Sequence, residues 1–349
     1  MKNETTMEKT EQLVPDVVFF HRKPRNVGNY SVEFIFEDIR RRLNGYIRAK
    51  VVYSKFESSG VFKRLYNTLD VVFNQSEVNH VTGDVNYIGL FLPKDRTIHT
   101  ILDCVHLTNS SGIKYKVLKL FWLTIPVRRS KYLTAILLST KNEILKHVNC
   151  DPEKIKVIYV AISDRFKRKD KLFNKECPRI LQVGTAPNKN IPRLIEALEG
   201  IPCILEIIGK HNDEYIQMMK DKGIRFEYNW GLSDDEMLKR YEDADIIALT
   251  STYEGFGMPI LEGQAVGRPV ITSNAFSMTE VAGDAAYLAD PFQVKSIREG
   301  ILKIIHDDGY RSEMIDRGYE NVKRFDPYKI ALQYLELYKE IAGIQKSKN

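Results

Sequence analysis

The chain has 349 residues, 43% of them hydrophobic, with 52 Lys and Arg against 46 Asp and Glu. This length exceeds the usual size of one domain, so we expect two domains with substantial cores. No apolar run is long enough to span a membrane, and no apolar N-terminal segment resembles a signal peptide, so we expect a soluble protein. The cysteines stand singly, which argues against disulfides or a CxxC metal site and favours a reducing cytoplasm: Cys104, Cys150, Cys177 and Cys203.

The first half of the chain predicts an α/β domain over residues 13–170, preceded by a polar segment, 1–12, expected to be disordered. Helices are expected over 31–43 and 115–129. Strands are expected in "VVFFH", "AKVVYS", "TIHTIL", "YLTAIL" and "KIKVIYV". The boundary is placed in the charged segment "SDRFKRKDKLFNKECP", which has no apolar period and precedes a new strand.

The second half predicts a doubly wound domain over residues 171–325, followed by a C-terminal helix, 326–349, that crosses back to the first domain. Short β-branched runs such as "RILQVG", "CILEIIG" and "DIIALTS" alternate with amphipathic helices, which is typical of a parallel sheet. The pairs Ser233 with Glu236 and Ser277 with Glu280 each have the spacing of a helix capping box.

Basic residues are concentrated in the first half of the chain, whereas the second half is acidic overall. This asymmetry suggests an anionic neighbour of the first domain. Residues 114–131, "KYKVLKLFWLTIPVRRSK", mix aromatic and aliphatic side chains with Lys and Arg. They could lie in an anionic membrane interface or form a packing helix in which Trp122 fills the core. No nucleic-acid-binding module is recognised, so nucleic acid is not an expected partner.

The segment "STYEGFGMPILEGQAVGRPVITS", residues 251–273, places Glu254 and Glu262 on either side of a glycine-rich turn. The glycines would let the backbone approach a ligand, and Pro259 suits the first turn of a helix. Free N–H groups at a helix N-terminus favour a phosphate, and a carboxylate can accept hydrogen bonds from a vicinal diol. A nucleotide sugar offers these groups in order: ribose, diphosphate and sugar.

This segment closely resembles the E-x7-E signature of retaining glycosyltransferases with the GT-B fold, glycosyltransferase family 4. The match runs from Ser251 to Pro291 as "SxxEGFGxPxLEgxAxGxPVIts" into "EVAGDAAYLADP". Upstream, "LQVGTAPNKNIPRLIEAL" and "WGLSDDEMLKRYEDADIIALTS" also resemble family segments, so that the likeness covers about 175–340. It implies an α/β fold of two doubly wound, Rossmann-like domains that face an interdomain cleft.

The resemblance also implies a donor site in the second domain. Glu262 would hold the ribose diol, Glu254 a hydroxyl of the donor sugar, and Lys189 the diphosphate, which makes Lys189 and Glu254 the expected catalytic residues. Where the family commonly has an Arg beside the lysine, this chain has a loop one residue shorter. The other implied donor contacts are Gly184, Thr185, Asn188, Gly255, Phe256, Gly257 and Met258.

In the first domain the likeness is weaker and is carried by "VNHVTGDVNYIGLFLP" and "TIHTILDCVHL". Relatives often present a histidine to the sugar where this chain has Leu102, and His99 and His106 lie nearby but out of register. A structural role is the alternative reading for a histidine at a strand end. The candidate acceptor-side residues are Gly28, His80, Asp84 and Asp103.

The sequence therefore predicts a retaining glycosyltransferase that transfers a sugar from a nucleoside diphosphate sugar to a glycan or lipid-linked acceptor, in surface polysaccharide assembly. A GT-B nucleotide-sugar epimerase and a catalytically silent nucleotide-sugar-binding scaffold remain alternatives. The absence of a Walker loop, zinc-ligand spacing, nucleophile elbow and GxGxxG argues against a kinase, hydrolase or dehydrogenase. Since no DxD pair stands at a strand end, metal-independent chemistry without a cofactor is expected. The expected location is the cytoplasm, with peripheral attachment at the inner membrane face.

Overall fold

The computed structural model describes residues 14–24, 31–108 and 110–344. Gly28 and the N-terminal segment 1–12 lie outside these described residues. The structure divides into two compact units. The first comprises the described residues of Met1–Ala135, Thr140–Ile158 and Ile330–Asn349, and the second comprises Ile136–Ser139 and Tyr159–Lys329.

The first unit contains a six-stranded parallel sheet with the strand order β2-β1-β3-β4-β5-β6. The strands β3 and β4 are buried along their whole length, as expected of a parallel sheet covered on both faces. The strands are β1 (Asp16–His21), β2 (Arg48–Tyr53), β3 (Val78–Thr82), β4 (Thr97–Ile101), β5 (Tyr132–Ala135) and β6 (Ile155–Val157).

The helices of the first half of the chain connect these strands. They are α1 (Ser31–Arg42), α2 (Val61–Asp70), α3 (Val105–Thr108), α4 (Gly112–Leu118), α5 (Ile125–Arg129) and α6 (Leu138–His147). A π-helical segment, Lys119–Thr124, joins α4 to α5. Pro126 has no amide N–H to offer the carbonyl of Trp122, and the Asn86 Nδ2 group donates to that carbonyl at 3.4 Å.

The second unit contains another six-stranded parallel sheet, with the order β12-β11-β10-β7-β8-β9. Its strands are β7 (Arg179–Val183), β8 (Ile204–Ile208), β9 (Arg225–Asn229), β10 (Ile246–Leu249), β11 (Val270–Ser273) and β12 (Tyr287–Ala289). Its helices are α7 (Ile191–Leu198), α8 (Asp213–Asp221), α9 (Asp234–Asp243), α10 (Met258–Val266), α11 (Ser277–Ala282), α12 (Val294–His306) and α13 (Asp308–Val322).

The last helix, α14 (Pro327–Ile341), starts in the second unit, and from Ile330 onward it belongs to the first. Tyr334 and Tyr338 are buried there, and the Tyr338 ring meets the Phe19 ring edge-on at 5.9 Å. Its aromatic side chains thus complete the core of the first unit.

The division between the units falls after Ile158, earlier than the boundary expected at 170/171. The intervening segment is tied to the second unit by backbone bonds, in which Ile162 N–H donates to the Phe325 carbonyl at 3.1 Å and Lys169 N–H to the Val266 carbonyl at 3.3 Å. Because these bonds join residues far apart in sequence, they could not be predicted from the charged composition of the segment. No helix within the described residues is long and apolar enough to cross a membrane.

Candidate functional site

The residues singled out in the second unit meet at the carboxyl ends of β7 and β10, which are neighbouring strands. Strand β7 leads into the loop that holds Gly184 and Lys189, and β10 leads into the turn that holds Glu254. Because parallel strands end at the same edge of a sheet, both loops lie where open α/β sheets bind ligands.

The turn after β10 ends at Gly257, whose φ of 105° lies in the left-handed region that favours glycine. Helix α10 follows with Met258 and Pro259, and no side chain caps its N-terminus. Phe256 anchors the turn because its buried ring packs edge-on against Phe325 at 5.9 Å. Pro259 has no N–H, and the Ile260 N–H donates to the Gly257 carbonyl at 3.0 Å. The helix dipole and the lack of a side-chain cap leave this end of α10 suited to an anion.

Lys189 and Glu254 form an ion pair across the two loops, with 2.7 Å between Nζ and Oε1. Both side chains are mostly buried, at 16% and 13% exposure. The Ser251 hydroxyl also donates to Glu254 Oε1 at 2.6 Å, and the Ser277 hydroxyl donates to the Glu254 backbone carbonyl at 2.8 Å. Glu254 is therefore held in one orientation, with its charge compensated by Lys189.

Gly184 allows Lys189 to reach this position. Its φ is 89°, and a Cβ atom there would come within 2.7 Å of Lys189 Cε. Asn188 joins the two loops because its Nδ2 donates to the Tyr253 carbonyl at 2.8 Å. Thr185, in the same loop, lies against Gly209, where a Cβ atom would come within 2.7 Å of Thr185 Cγ2.

Glu262 lies on α10 and accepts a hydrogen bond from the hydroxyl of Tyr241, which is fully buried on α9. Burial raises the pKa of Glu262 to about 7, although the Tyr241 hydrogen bond and the charge of Lys189 oppose this rise. Burial and the neighbouring carboxylate raise the pKa of Tyr241 as well. The pKa of Glu262 therefore lies near neutral pH.

The structure brings four supporting residues to the site that the sequence interpretation did not select: Tyr241, Ser251, Ser277 and Asn190. Asn190 adopts φ 58° and donates to the Thr250 and Pro291 carbonyls at 2.9 and 2.7 Å. The capping box expected for Ser277 with Glu280 is wrong, because Ser277 is the first residue of α11 and its hydroxyl binds Glu254. The sequence did contain a signal for Ser251. It lies three residues before Glu254, a spacing at which a hydroxyl in the same tight turn can reach the carboxylate.

The described candidate acceptor-side residues of the first unit, His80, Asp84 and Asp103, differ in burial. His80 is fully buried, and its ring nitrogens meet the Tyr338 hydroxyl and the Thr100 hydroxyl, both at 2.8 Å. Burial lowers the pKa of His80, so the ring is neutral and stabilises the core. The structure therefore corrects its placement on the acceptor side, because a strand-end position in the sequence does not reveal that α14 covers it.

Asp84 lies just after β3, adopts φ 44°, and forms an ion pair with Arg22, which also binds Glu33 at 2.8 Å. Asp103 is exposed and accepts from the Val105 N–H at 3.0 Å, which caps the start of α3. These two positions remain acceptor-side predictions, and Gly28 lies outside the described residues.

Leu102 directly follows β4 and is partly exposed, and its carbonyl accepts from the Thr140 hydroxyl at 3.4 Å. His99 is not a substitute for a histidine at this position. It is fully buried, with Nδ1 at 2.6 Å from the Ser130 hydroxyl and Nε2 at 3.2 Å from the Asn86 carbonyl. Burial lowers its pKa to about 3.

Within the described residues, no group of three or more His, Cys, Asp or Glu side chains is placed to hold a metal ion. The expectation of metal-independent chemistry stays a prediction.

Comparison with known proteins identifies the part of the chain that carries this site. Residues 163–321 match the family model of glycosyl transferases group 1. That range contains both loops, α9 and α10. This match confirms the resemblance inferred from the motifs of the second half of the chain, as far as glycosyl transferases group 1.

Curated relatives share the same region. The chain is 30% identical over 224 residues to an O-antigen chain mannosyltransferase B of Escherichia coli, covering 57% of this chain and 58% of that protein. It is 30% identical over 199 residues to the O-antigen chain mannosyltransferase RfbU of Salmonella typhimurium, covering 54% and 55%. The chain thus spans little more than half the length of these relatives.

Solved structures match over nearly the whole chain. The Anabaena protein Alr3699/HepE, solved with UDP and glucose, gives a TM-score of 0.73 at 16% identity and covers 93% of this chain and 100% of its own. WaaG, a glycosyltransferase involved in lipopolysaccharide biosynthesis, gives 0.69 at 15% identity and covers 92% and 99%. At such low identity the likeness shows the fold alone, and it confirms the expected pair of Rossmann-like α/β units, as in GT-B proteins.

Proposed function

We propose that the protein is a retaining glycosyltransferase of family 4 that moves a hexosyl group from a nucleoside diphosphate sugar to a hydroxyl of a glycan or lipid-linked acceptor. The observation that carries this proposal is the Lys189–Glu254 ion pair beside the uncapped N-terminus of α10, with Glu262 further along the same helix. A cation, a free helix N-terminus and two carboxylates match the charges and hydroxyls of one nucleotide sugar. The match to glycosyl transferases group 1 over 163–321 supports the assignment.

Donor binding would exchange partners within this site. Lys189 would turn from Glu254 to the diphosphate, which also accepts from the N–H groups at the start of α10, and Glu254 would accept from a sugar hydroxyl. Glu262 has one oxygen bound by Tyr241, and its other oxygen would accept from the ribose diol. In both arrangements Lys189 has an anionic partner and both carboxylates accept hydrogen bonds.

In the transfer step, the bond between the anomeric carbon and the diphosphate oxygen breaks. The acceptor oxygen bonds to the same face of that carbon, and the acceptor proton passes to the leaving diphosphate. Negative charge grows on the diphosphate as it leaves, so Lys189 and the α10 N–H groups would act mainly by electrostatic stabilisation. No metal or cofactor is part of this proposal.

The relatives support a proposal for the donor and the cellular context. Both O-antigen relatives carry mannosyltransferase names, so a mannosyl donor is the first to test and surface polysaccharide assembly is the proposed pathway class. Such assembly would place the protein in the cytoplasm, at the inner membrane face. Residues 114–131, which contain Lys and Arg but no Asp or Glu, would contact the anionic membrane surface.

A two-stage experiment tests this function. A thermal-shift screen across GDP, UDP, ADP and dTDP sugars first identifies the donor, since a ligand that binds only the folded state raises the melting temperature. The labelled donor is then incubated with and without membrane lipid extract or polysaccharide fragments. Label moving to an acceptor with retained anomeric configuration supports the transferase. Change in the donor alone would indicate the epimerase, and donor binding without turnover would indicate the scaffold.

The ribose assignment has its own test in Glu262→Ala. Loss of two charge-assisted hydrogen bonds, worth about 1.5–3 kcal/mol each, should weaken nucleotide binding at least tenfold. Isothermal calorimetry with the nucleoside diphosphate measures it, and an affinity within twofold of the parent would contradict the assignment.

A further inference from the structure

Helix α2 exposes apolar side chains on the side facing away from the core. Phe62 and, just beyond the helix, Phe73 are each 87% exposed. The side packed against the protein carries Asn67, Thr68 and Val71. This is the reverse of a helix that faces water, whose outward side is polar. The other large apolar side chains exposed along α2 are Val61, Leu65, Tyr66 and Leu69.

A second exposed apolar stripe lies next to α2. It runs along α4 and the π-helical segment, at a spacing of three to four residues, and consists of Ile113, Val117, Leu120 and Phe121. The two segments touch where the Arg64 guanidinium of α2 lies 5.2 Å from the Trp122 ring centroid. Trp122 itself packs inward, with its ring centroid 5.6 Å from that of Tyr87, which agrees with the packing role expected for it. Its neighbours in the stripe are exposed.

The charges around the two stripes have one sign. Residues 112–131 contain no Asp or Glu, and α2 adds Lys63 and Arg64. The carboxylate of α2, Asp70, is mostly buried and paired with Lys55 at 3.4 Å. An occupant of this surface must therefore accept apolar side chains in its interior and cations at its rim.

We propose that this surface, formed by α2 and residues 112–121 and called here the α2 face, inserts its apolar side chains into the interface of an anionic lipid bilayer. Apolar residues alternating with Lys and Arg are typical of helices that lie in a membrane interface. A second copy of the chain is a poorer occupant, because a symmetric contact would bring the same cations together. This inference extends the membrane contact proposed above for residues 114–131, and it does not depend on the transferase site.

Co-sedimentation with vesicles tests the proposal. The parent protein should sediment with vesicles of equimolar phosphatidylglycerol and phosphatidylcholine, less so with phosphatidylcholine alone, and less as salt rises. The triple variant Phe62→Ser, Leu69→Ser, Phe73→Ser should bind the anionic vesicles at least about tenfold more weakly. A matched control carries Leu172→Ser and Phe292→Ser, which are 94% and 58% exposed in the second unit, and should bind as the parent does.

A second variant keeps the test informative if the triple variant folds poorly. Replacing Lys114, Lys116 and Lys119 by Gln leaves the apolar side chains in place and should weaken binding while removing most of its salt dependence. Vesicle binding by the parent that neither variant reduces would overturn the proposal, as would no binding by the parent. A parent that dimerises without lipid in sedimentation velocity, and becomes monomeric in the triple variant, would show a second copy as the occupant and overturn it too. Nucleotide-dependent thermal shifts should be unchanged in both variants, which separates this test from that of the donor site.

Discussion

Replacing Tyr241 by Phe should change how nucleotide binding depends on pH. The pKa of Glu262 is about 7, and the Tyr241 hydrogen bond lowers it. The substitution removes a hydrogen bond to a carboxylate, which is worth about 1.5–3 kcal/mol, so the pKa should rise by about one to two units. Because the proposed ribose contact needs the ionised carboxylate, affinity at pH 7 should fall by about tenfold and recover as the pH rises towards 9.

The stability of the folded protein should depend on pH in the opposite direction to nucleotide binding, falling as the pH rises. The pKa of Glu262 is raised from its usual value of 4.5 to about 7, so the folded protein binds this proton more tightly than the unfolded chain does. The protonated carboxyl therefore contributes stability that is complete below about pH 4.5 and is lost as the pH rises through 7, by about 3 kcal/mol in all. In Tyr241→Phe, the upper end of this window should move to higher pH.

Calorimetric titration of the nucleoside diphosphate between pH 6 and 9 measures the effect, with melting curves across the same range. Tyr228→Phe is the matched control, because the Tyr228 hydroxyl is buried and has no hydrogen-bond partner within the described part of the chain. That control should leave the pH midpoint of binding unchanged. If Tyr241→Phe and the parent share one midpoint, the Tyr241 hydroxyl does not set the protonation of Glu262 and the reasoning fails.

Two further predictions concern the loop after β7. Lys189→Ala should lower kcat more than it raises KM, because about 3–4 kcal/mol of transition-state stabilisation is lost. A raised KM at unchanged kcat would mean that the lysine contributes only to substrate binding. Gly184→Ala should displace the Lys189 side chain and cost about 1–2 kcal/mol of backbone strain at φ 89°, seen together as a lower melting temperature and weaker nucleotide binding; unaltered values for both would contradict this.

The sequence alone determined several local features of the second unit. Ser233 with Glu236 forms the expected capping box at the start of α9. The turn at Gly257 opens a helix with Pro259 in its first turn, as predicted. These features depend on hydrophobic period, caps and turn chemistry, all of which act between residues a few positions apart.

The tertiary structure decided which of these residues meet. Lys189 pairs with Glu254 across 65 residues and Tyr241 binds Glu262 across 21, through contacts that no local pattern encodes. In the first unit, the long-range contact of His80 could not be predicted from local sequence either, because its partner Tyr338 lies 258 residues away on α14. Long-range packing sets burial, and burial decides whether a polar side chain becomes a ligand-binding group with a shifted pKa or a satisfied part of the core.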